Sequence, residues 1–237
     1  MAREHTGGLR GDGFWTDGSW RAACRDEPLL AEVARHLPPV APPFEGRDLL
    51  HGLHSSYRQH QYELLFYGLV RALRPATCVE IGVLEGFSLF ATAAALRDNA
   101  YGHVTGYDLF DRYPYRHSTL DRVAAGCRMA QLQAFVTLQQ ADADDVCRRH
   151  ASVDLLHVDI SNDGDTFHRQ FSRWAGKVTR AIVLEGGASE RDDVAWMKTY
   201  ARPGIAAAVE DLSRSHPEWR FCVIAPFPSV TVAVHRK

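Results

Sequence analysis

Between positions 57 and 74 the apolar residues fall at 62, 65, 66, 69, 70 and 73, the one-faced spacing of an amphipathic helix. Ser56 and Gln59 have the spacing of a capping box at its start, and Pro75 stops it because proline cannot continue a helix. Short apolar runs and longer amphipathic segments then alternate. Strands are expected over 77–81, 103–108, 134–140, 153–159 and 179–185, and helices over 87–97, 119–133, 143–149, 165–175 and about 190–213. This alternation implies a parallel sheet with helices on both faces. The chain ends differently: 220–225 and 230–235 are β-rich and separated only by Pro226-Phe227-Pro228-Ser229. Four residues cannot make a parallel crossover, so these runs form an antiparallel hairpin. The expected fold class is α/β, a doubly wound and mostly parallel sheet with a C-terminal antiparallel hairpin.

Residues 1–47 break the pattern. They begin glycine-rich, carry Phe14, Trp15 and Trp20, show a short helical pattern near 29–37 and end in prolines at 38, 39, 42 and 43. They read as an N-terminal arm or lid with its linker, leaving 48–237 as the main domain. Tryptophans that a lone tail would not bury imply contact with the domain or with a second copy of the chain, hence a homo-oligomer.

A chain of 237 residues with 46% hydrophobic content is enough for one such domain plus an appendage. A formal charge of −2 without a basic stripe argues against nucleic acid as the partner and for a small molecule. Residues 1–10 lack an apolar leader core, and no run approaches the roughly eighteen apolar residues of a membrane span, so a cytoplasmic protein without membrane contact is expected. Cysteines at 24, 78, 127, 147 and 222 include no C-x-x-C pair and support neither a disulfide framework nor a zinc site. Cys78 and Cys222, in apolar strands, read as inert core.

Candidate chemistry concentrates in Thr77-Cys78-Val79-Glu80-Ile81-Gly82-Val83-Leu84-Glu85-Gly86-Phe87-Ser88, which passes from a strand through a glycine turn into an alanine-rich helix. Gly82 and Gly86 let the backbone turn and approach a ligand, and the helix start aims unpaired N–H groups at the same place. Glu80 repels a pyrophosphate but attracts the ammonium of an amino-acid-like cofactor. A dinucleotide fingerprint would need glycine at 84, where the chain has Leu84. Asp108 ends the next strand, placed to accept from ribose hydroxyls, a device that dinucleotide enzymes share.

Glu80-x-Gly82-x-x-x-Gly86-x-Ser88, Tyr107-Asp108, Ala141-Asp142-Ala143 and His157-Val158-Asp159, in that order, resemble the successive motifs of the class I S-adenosylmethionine-dependent methyltransferases. The likeness covers roughly 48–237 and is nearest to the small O-methyltransferases, both the catechol and caffeoyl-coenzyme A type and the macrocin type of antibiotic biosynthesis. The resemblance implies a seven-stranded sheet and S-adenosylmethionine as cofactor. It places the methionine part on Glu80, Gly82, Gly86 and Ser88, with Ser55 and Ser56 covering its carboxylate. Asp108 takes the ribose, and Leu109 or Phe110 an adenine face. Asp142 with Ala143 lies beside the adenine amino group, although Asp142 reads equally as a helix N-cap.

The segment from Asp159 to Asp165 imitates a calcium loop, but position twelve would be Gln170 rather than glutamate. The metal-dependent relatives place a metal-binding aspartate after the fourth strand, here Asp159, and an acidic pair after the fifth, here Glu185-Gly186. Mg²⁺ held weakly by Asp159 and Glu185 is therefore expected, with Asp163 or Asp165 as further candidates. Without a metal, a histidine base must deprotonate a hydroxyl acceptor: His54 and His117 are the candidates, while His157 reads as a core residue. Trp15, Trp20, Tyr113, Tyr115, Trp174, Trp196 and Phe227 are aromatics that could shape the pocket. The expected function is O-methylation of a small hydroxylated metabolite, a phenol, sugar or natural-product intermediate, with Asp159 central to catalysis. The alternatives are a metal-independent N- or carboxyl-methyltransferase and a non-catalytic partner subunit of the same fold. A nicotinamide dehydrogenase is disfavoured by Leu84 and Glu80.

Overall fold

The computed structural model describes residues 28, 29, 31, 33, 45–161, 163–189, 195–225 and 228–236, without the side chains of 195 and 196. Nearly all of the expected arm, including Phe14, Trp15 and Trp20, lies outside the described residues, as do Asn162, Phe227 and the side chain of Trp196.

A short helix α1 (Arg47–Leu50) and a 3-10 turn (Ser56–His60) precede α2 (Tyr62–Leu73). Then follow β1 (Thr77–Ile81), α3 (Phe87–Asn99), β2 (His103–Asp108), α4 (Leu120–Met129), β3 (Val136–Gln140), α5 (Ala143–Val146), β4 (Val153–Val158), α6 (Gly164–Trp174) and β5 (Val178–Glu185). Two helices, α7 (Ala195–Thr199) and α8 (Ile205–Ser215), and the hairpin β6 (Trp219–Ile224) and β7 (Val230–His235) complete the chain. The seven strands form one sheet in the order β3-β2-β1-β4-β5-β7-β6. All neighbours from β3 to β5 are parallel, and β7 runs antiparallel to both β5 and β6. The order reverses direction at β1, so a crevice opens where β1 and β4 diverge beyond their carboxyl ends, the usual ligand position in such sheets.

The period-2 alternation of the strands sorts their side chains onto two cores. Cys78, Val104, Leu155 and Val183 join the apolar cluster beneath α2 and α3. Val79, Ile81, Leu156, Val158 and Ile182 join the one beneath α6 and α8, with the fully buried Trp174 and Trp219. At the opposite edge from the crevice, Asp154 clips three strands together. Its carboxylate accepts from the Ala76 and Thr77 amides at 2.8 and 3.2 Å and from Thr179 Oγ1 at 2.8 Å.

Two expectations are corrected. The capping box of Ser56 and Gln59 does not form: Ser55 caps the 3-10 turn by accepting from the Tyr57 amide at 3.2 Å, and Gln61, at φ 54°, separates that turn from α2. The single helix expected over 190–213 is two helices within the described residues, because Pro203 has no N–H to continue α7 and Gly204 caps α8.

Candidate active site

The glycine loop is held by geometry that tolerates no other residue at its first position. Gly82 has φ 88°, its amide donates to Tyr107 O at 2.9 Å, and a Cβ there would sit 1.9 Å from Asp159 O. Gly86, at φ 95°, is the N-cap of α3, and a Cβ would meet the Phe90 ring at 2.8 Å. Between them Leu84 adopts φ 50°, a left-handed conformation that leucine disfavours. Asp108 offsets that strain: its Oδ2 accepts from the Val83 and Leu84 amides at 2.7 and 2.9 Å, and its Oδ1 from the Phe110 amide at 2.8 Å. Asp108 is therefore the clamp of the loop as well as a wall of the site.

Beyond the strand ends lies a cavity of about 560 Å³, within the size range of small-molecule sites. It brings together His54, Ser55, Gly82, Ser88, Asp108, Leu109, His117, Asp142, Ala143, Asp159 and Glu185. Asp142 both lines it and caps α5, accepting from the Asp144 amide at 2.9 Å, so its two readings are compatible. Four expected residues lie elsewhere. Ser56 and Gly86 are not among the lining residues, since one turns away in the 3-10 turn and the other has no side chain to present. Phe110 is fully buried in the core, whereas Leu109 lines the cavity. Glu80 is 1% exposed and sits behind the loop, where it accepts from Ser88 Oγ at 2.8 Å. A side chain at an even position of β1 points under α2 and α3, so Glu80 cannot reach the crevice.

Several residues of the site escaped sequence reasoning. Tyr57, Arg116, Thr166 and Arg169 all line the cavity. Tyr57 is buried, its hydroxyl 3.3 Å from His157 Nε2. Burial, then the carboxylates of Asp159 and Glu185, push its pKa well above the ordinary tyrosine value. The period-2 pattern could have placed Glu80 and His157 side by side, and they are paired positions of β1 and β4; nothing local in the sequence brings Tyr57 to them. Glu85 ties the two sides of the mouth, accepting from the His54 amide at 2.6 Å and pairing with Arg122 at 3.2 Å. Of the aromatics, Tyr113 reaches the cavity and stacks edge-on with the exposed Tyr115, whereas Trp174 belongs to the core.

His117 Nδ1 lies 2.6 Å from Tyr115 O. A carbonyl only accepts, so Nδ1 carries the proton and the neutral ring keeps its lone pair on Nε2. That is the tautomer a general base requires. His54, also exposed at the mouth, contributes its backbone amide to Glu85.

The ligands expected for magnesium stop at two. Among the described residues no group of three or more His, Cys, Asp or Glu side chains could hold a metal ion. Asp163 is engaged as the N-cap of α6, accepting from the Thr166 amide at 3.0 Å, and neither it nor Asp165 lines the cavity. At Gly186, φ is 99° and a Cβ would stand 2.5 Å from Ile205 Cδ1, so a side chain there would be strained by the left-handed backbone and would have to displace the Ile205 methyl. Asp159 and Glu185 alone would offer a cation two carboxylates, with the rest of its coordination coming from water or substrate. The cavity is large enough for a nucleoside-bearing cofactor, and the glycine loop, Asp108 with Leu109, and the stretch from Ala141 to Ala143 all line it.

Residues 79–185 match the profile of the methyltransferase domain family. No curated protein was found to match the chain. The fold is similar to that of solved structures at low sequence identity. The O-methyltransferase TomG of Streptomyces achromogenes, involved in tomaymycin synthesis and solved with S-adenosylmethionine, is 17% identical over 97% of this chain and 100% of that one, at a TM-score of 0.60. The Bacillus cereus O-methyltransferase solved with S-adenosylhomocysteine is 15% identical, covering 94% and 99%, at 0.60. The Podospora anserina methyltransferase PaMTH1, also solved with S-adenosylhomocysteine, is 14% identical, covering 94% and 95%, at 0.59. The profile thus marks 79–185, from β1 with its glycine loop to the end of β5, as a methyltransferase domain, and the strand order of the whole sheet is similar to that of the solved methyltransferases.

Proposed function

We propose that the chain is an O-methyltransferase that binds S-adenosylmethionine in this cavity and methylates a small hydroxylated metabolite, a phenol, sugar or natural-product intermediate. Gly82 and Ser88 would hold the methionine part with Ser55, the Asp108 oxygens the ribose hydroxyls, and Leu109, Asp142 and Ala143 the adenine. A bound cofactor supplies an already reactive sulfonium methyl, so the protein's work is to align the acceptor oxygen, exclude water and take up one proton. One observation carries the reading: the same cavity that runs past the glycine loop also contains His117, fixed by Tyr115 O in the tautomer with a free Nε2. His117 Nε2 takes the acceptor's hydroxyl proton as the oxygen attacks, and Asp159 and Glu185 hold the acceptor on the opposite wall. No step passes through a metal. The test is release of S-adenosylhomocysteine when the protein is given S-adenosylmethionine and a panel of phenols and hydroxylated natural products, with and without EDTA. Turnover on a hydroxyl acceptor that EDTA leaves unchanged is the expected result; turnover lost to EDTA and restored by Mg²⁺ would put the metal at Asp159 and Glu185 in place of the histidine base.

Two carboxylates without a metal ligand set favour a second reading, an amine-bearing acceptor methylated at nitrogen. The same panel extended with amines decides it. We further propose that the protein is cytoplasmic, consistent with the lack, among the described residues, of a helix long and apolar enough to cross a membrane. The N-terminal arm contributes a lid or a contact between copies: deleting 1–43 should change the mass in light scattering or reduce turnover, and a variant unchanged in both would remove the arm from the account.

A further inference from the structure

The four side chains Ser88, Glu80, His157 and Tyr57 form one buried line from the glycine loop to the far wall of the cavity. Ser88 Oγ donates to Glu80 Oε1 at 2.8 Å, Glu80 Oε2 faces His157 Nδ1 at 3.4 Å, and His157 Nε2 lies 3.3 Å from the Tyr57 hydroxyl. The 3.4 Å contact is close enough for an ion pair but is not directed as a hydrogen bond, and neither atom has a hydrogen-bond partner among the described residues. All four residues are at most 5% exposed, yet both ends of the line touch the cavity. A buried carboxylate is costly unless its oxygens are satisfied, so Glu80 is a poor choice for mere core filling between Phe66, Tyr57 and the sheet.

We propose that Glu80 is a positioning residue: by holding Ser88 through one oxygen and Tyr57, via His157, through the other, it couples the cofactor side of the cavity to the acceptor side. The direction of the line follows from donor chemistry. A carboxylate only accepts, so a neutral His157 carries its proton on Nδ1 and presents a lone pair at Nε2. Tyr57 then has one O–H between two acceptors, His157 Nε2 at 3.3 Å and the Asp159 carboxylate, and whichever takes it, an oxygen at that wall meets the cavity as a hydrogen-bond acceptor. Such an acceptor suits an incoming O–H or N–H group, and it orients the group that His117 is to deprotonate. When a ligand engages Ser88, the Ser88 hydroxyl shifts against Glu80, and the movement is transmitted along the line to Tyr57. Because this role rests on the proposed cofactor and acceptor halves, the probe is S-adenosylhomocysteine itself.

The test is a double-mutant cycle read by calorimetry with S-adenosylhomocysteine: the natural chain, Ser88→Ala, Tyr57→Phe and the double variant, each repeated with Glu80→Gln. The expected result is non-additivity of about fivefold to tenfold in Kd with Glu80 present, falling to within about twofold in the Glu80→Gln series. Coupling that persists in the Glu80→Gln series runs through the ligand alone and overturns the proposal, as does additivity in the natural series. Absent binding to the natural chain overturns the cofactor reading as well, so the two failures are distinct. If Glu80→Gln does not fold, ¹⁵N spectra of the histidines in the natural chain decide instead: His157 protonated at Nδ1 is expected, and a neutral ring protonated only at Nε2 reverses the donors and contradicts the proposal.

Discussion

The glycine-loop wall and the opposite wall of the cavity are built on different principles. On the first, Gly82, Leu84, Gly86 and Asp108 interlock through backbone amides: left-handed turns, a carboxylate clamping three N–H groups and a helix start, all within 29 positions from 82 to 110. On the second, Tyr57, His117, Asp159 and Glu185 come from four separate parts of the chain and present side chains to the cavity. A backbone-built wall admits few sequences and one ligand class. A side-chain-built wall can be respecified one residue at a time. In the proposed function the first wall serves the cofactor and the second the acceptor.

If that contrast is right, the largest effect belongs to Gly82→Ala. Its Cβ would overlap Asp159 O and impose a left-handed alanine, destabilising the fold by about 3 kcal/mol and removing S-adenosylhomocysteine binding. Thermal melting and calorimetry read both effects; a stable, binding variant would show that the backbone wall is not rigid. His117→Gln on the side-chain wall should instead leave binding and melting temperature intact while reducing turnover on a hydroxyl acceptor about 100-fold or more, the usual share of a general base. Equal losses in turnover and cofactor affinity would erase the distinction between the walls. Asp108→Ala should weaken S-adenosylhomocysteine by roughly 1.5–3 kcal/mol, the range for hydrogen bonds to a charged group, with a smaller loss of stability from the freed loop amides.

The smallest effect lies outside the cavity and serves as the control. Burial pushes the Asp154 carboxyl up, but hydrogen bonds from Thr179, Ala76 and Thr77 outweigh it and hold its pKa below the ordinary aspartate value. A depressed carboxylate contributes stability above its unfolded pKa and loses it as pH falls through the folded value. Asp154→Asn should therefore melt lower at pH 7, by about 1 kcal/mol, and converge with the natural chain in strong acid, with cofactor affinity unchanged throughout. A cofactor defect would mean that the far edge of the sheet is coupled to the site.

The sheet, its parallel order and the terminal hairpin were legible because burial on both faces and loop length dictate them, and the glycine loop because φ above zero demands glycine at 82 and 86. Leu84 shows the limit: it takes a glycine-like conformation that no residue type signals, made tolerable by Asp108 from another strand. Glu80 was legible as special but not as to why. The strand period alone turns it away from the crevice, toward His157. The missed wall, Tyr57 with Arg116, Thr166 and Arg169, depends on how a 3-10 turn, a loop and a helix converge in space, and no spacing in the chain records that.

The central claim is that the clamped glycine loop and the cavity beside it form an S-adenosylmethionine site. Calorimetric titration of the natural chain with S-adenosylhomocysteine and, separately, with NADH tests it most directly. One molecule of S-adenosylhomocysteine per chain and no heat from NADH is the predicted result; saturable NADH binding with no response to S-adenosylhomocysteine would contradict it.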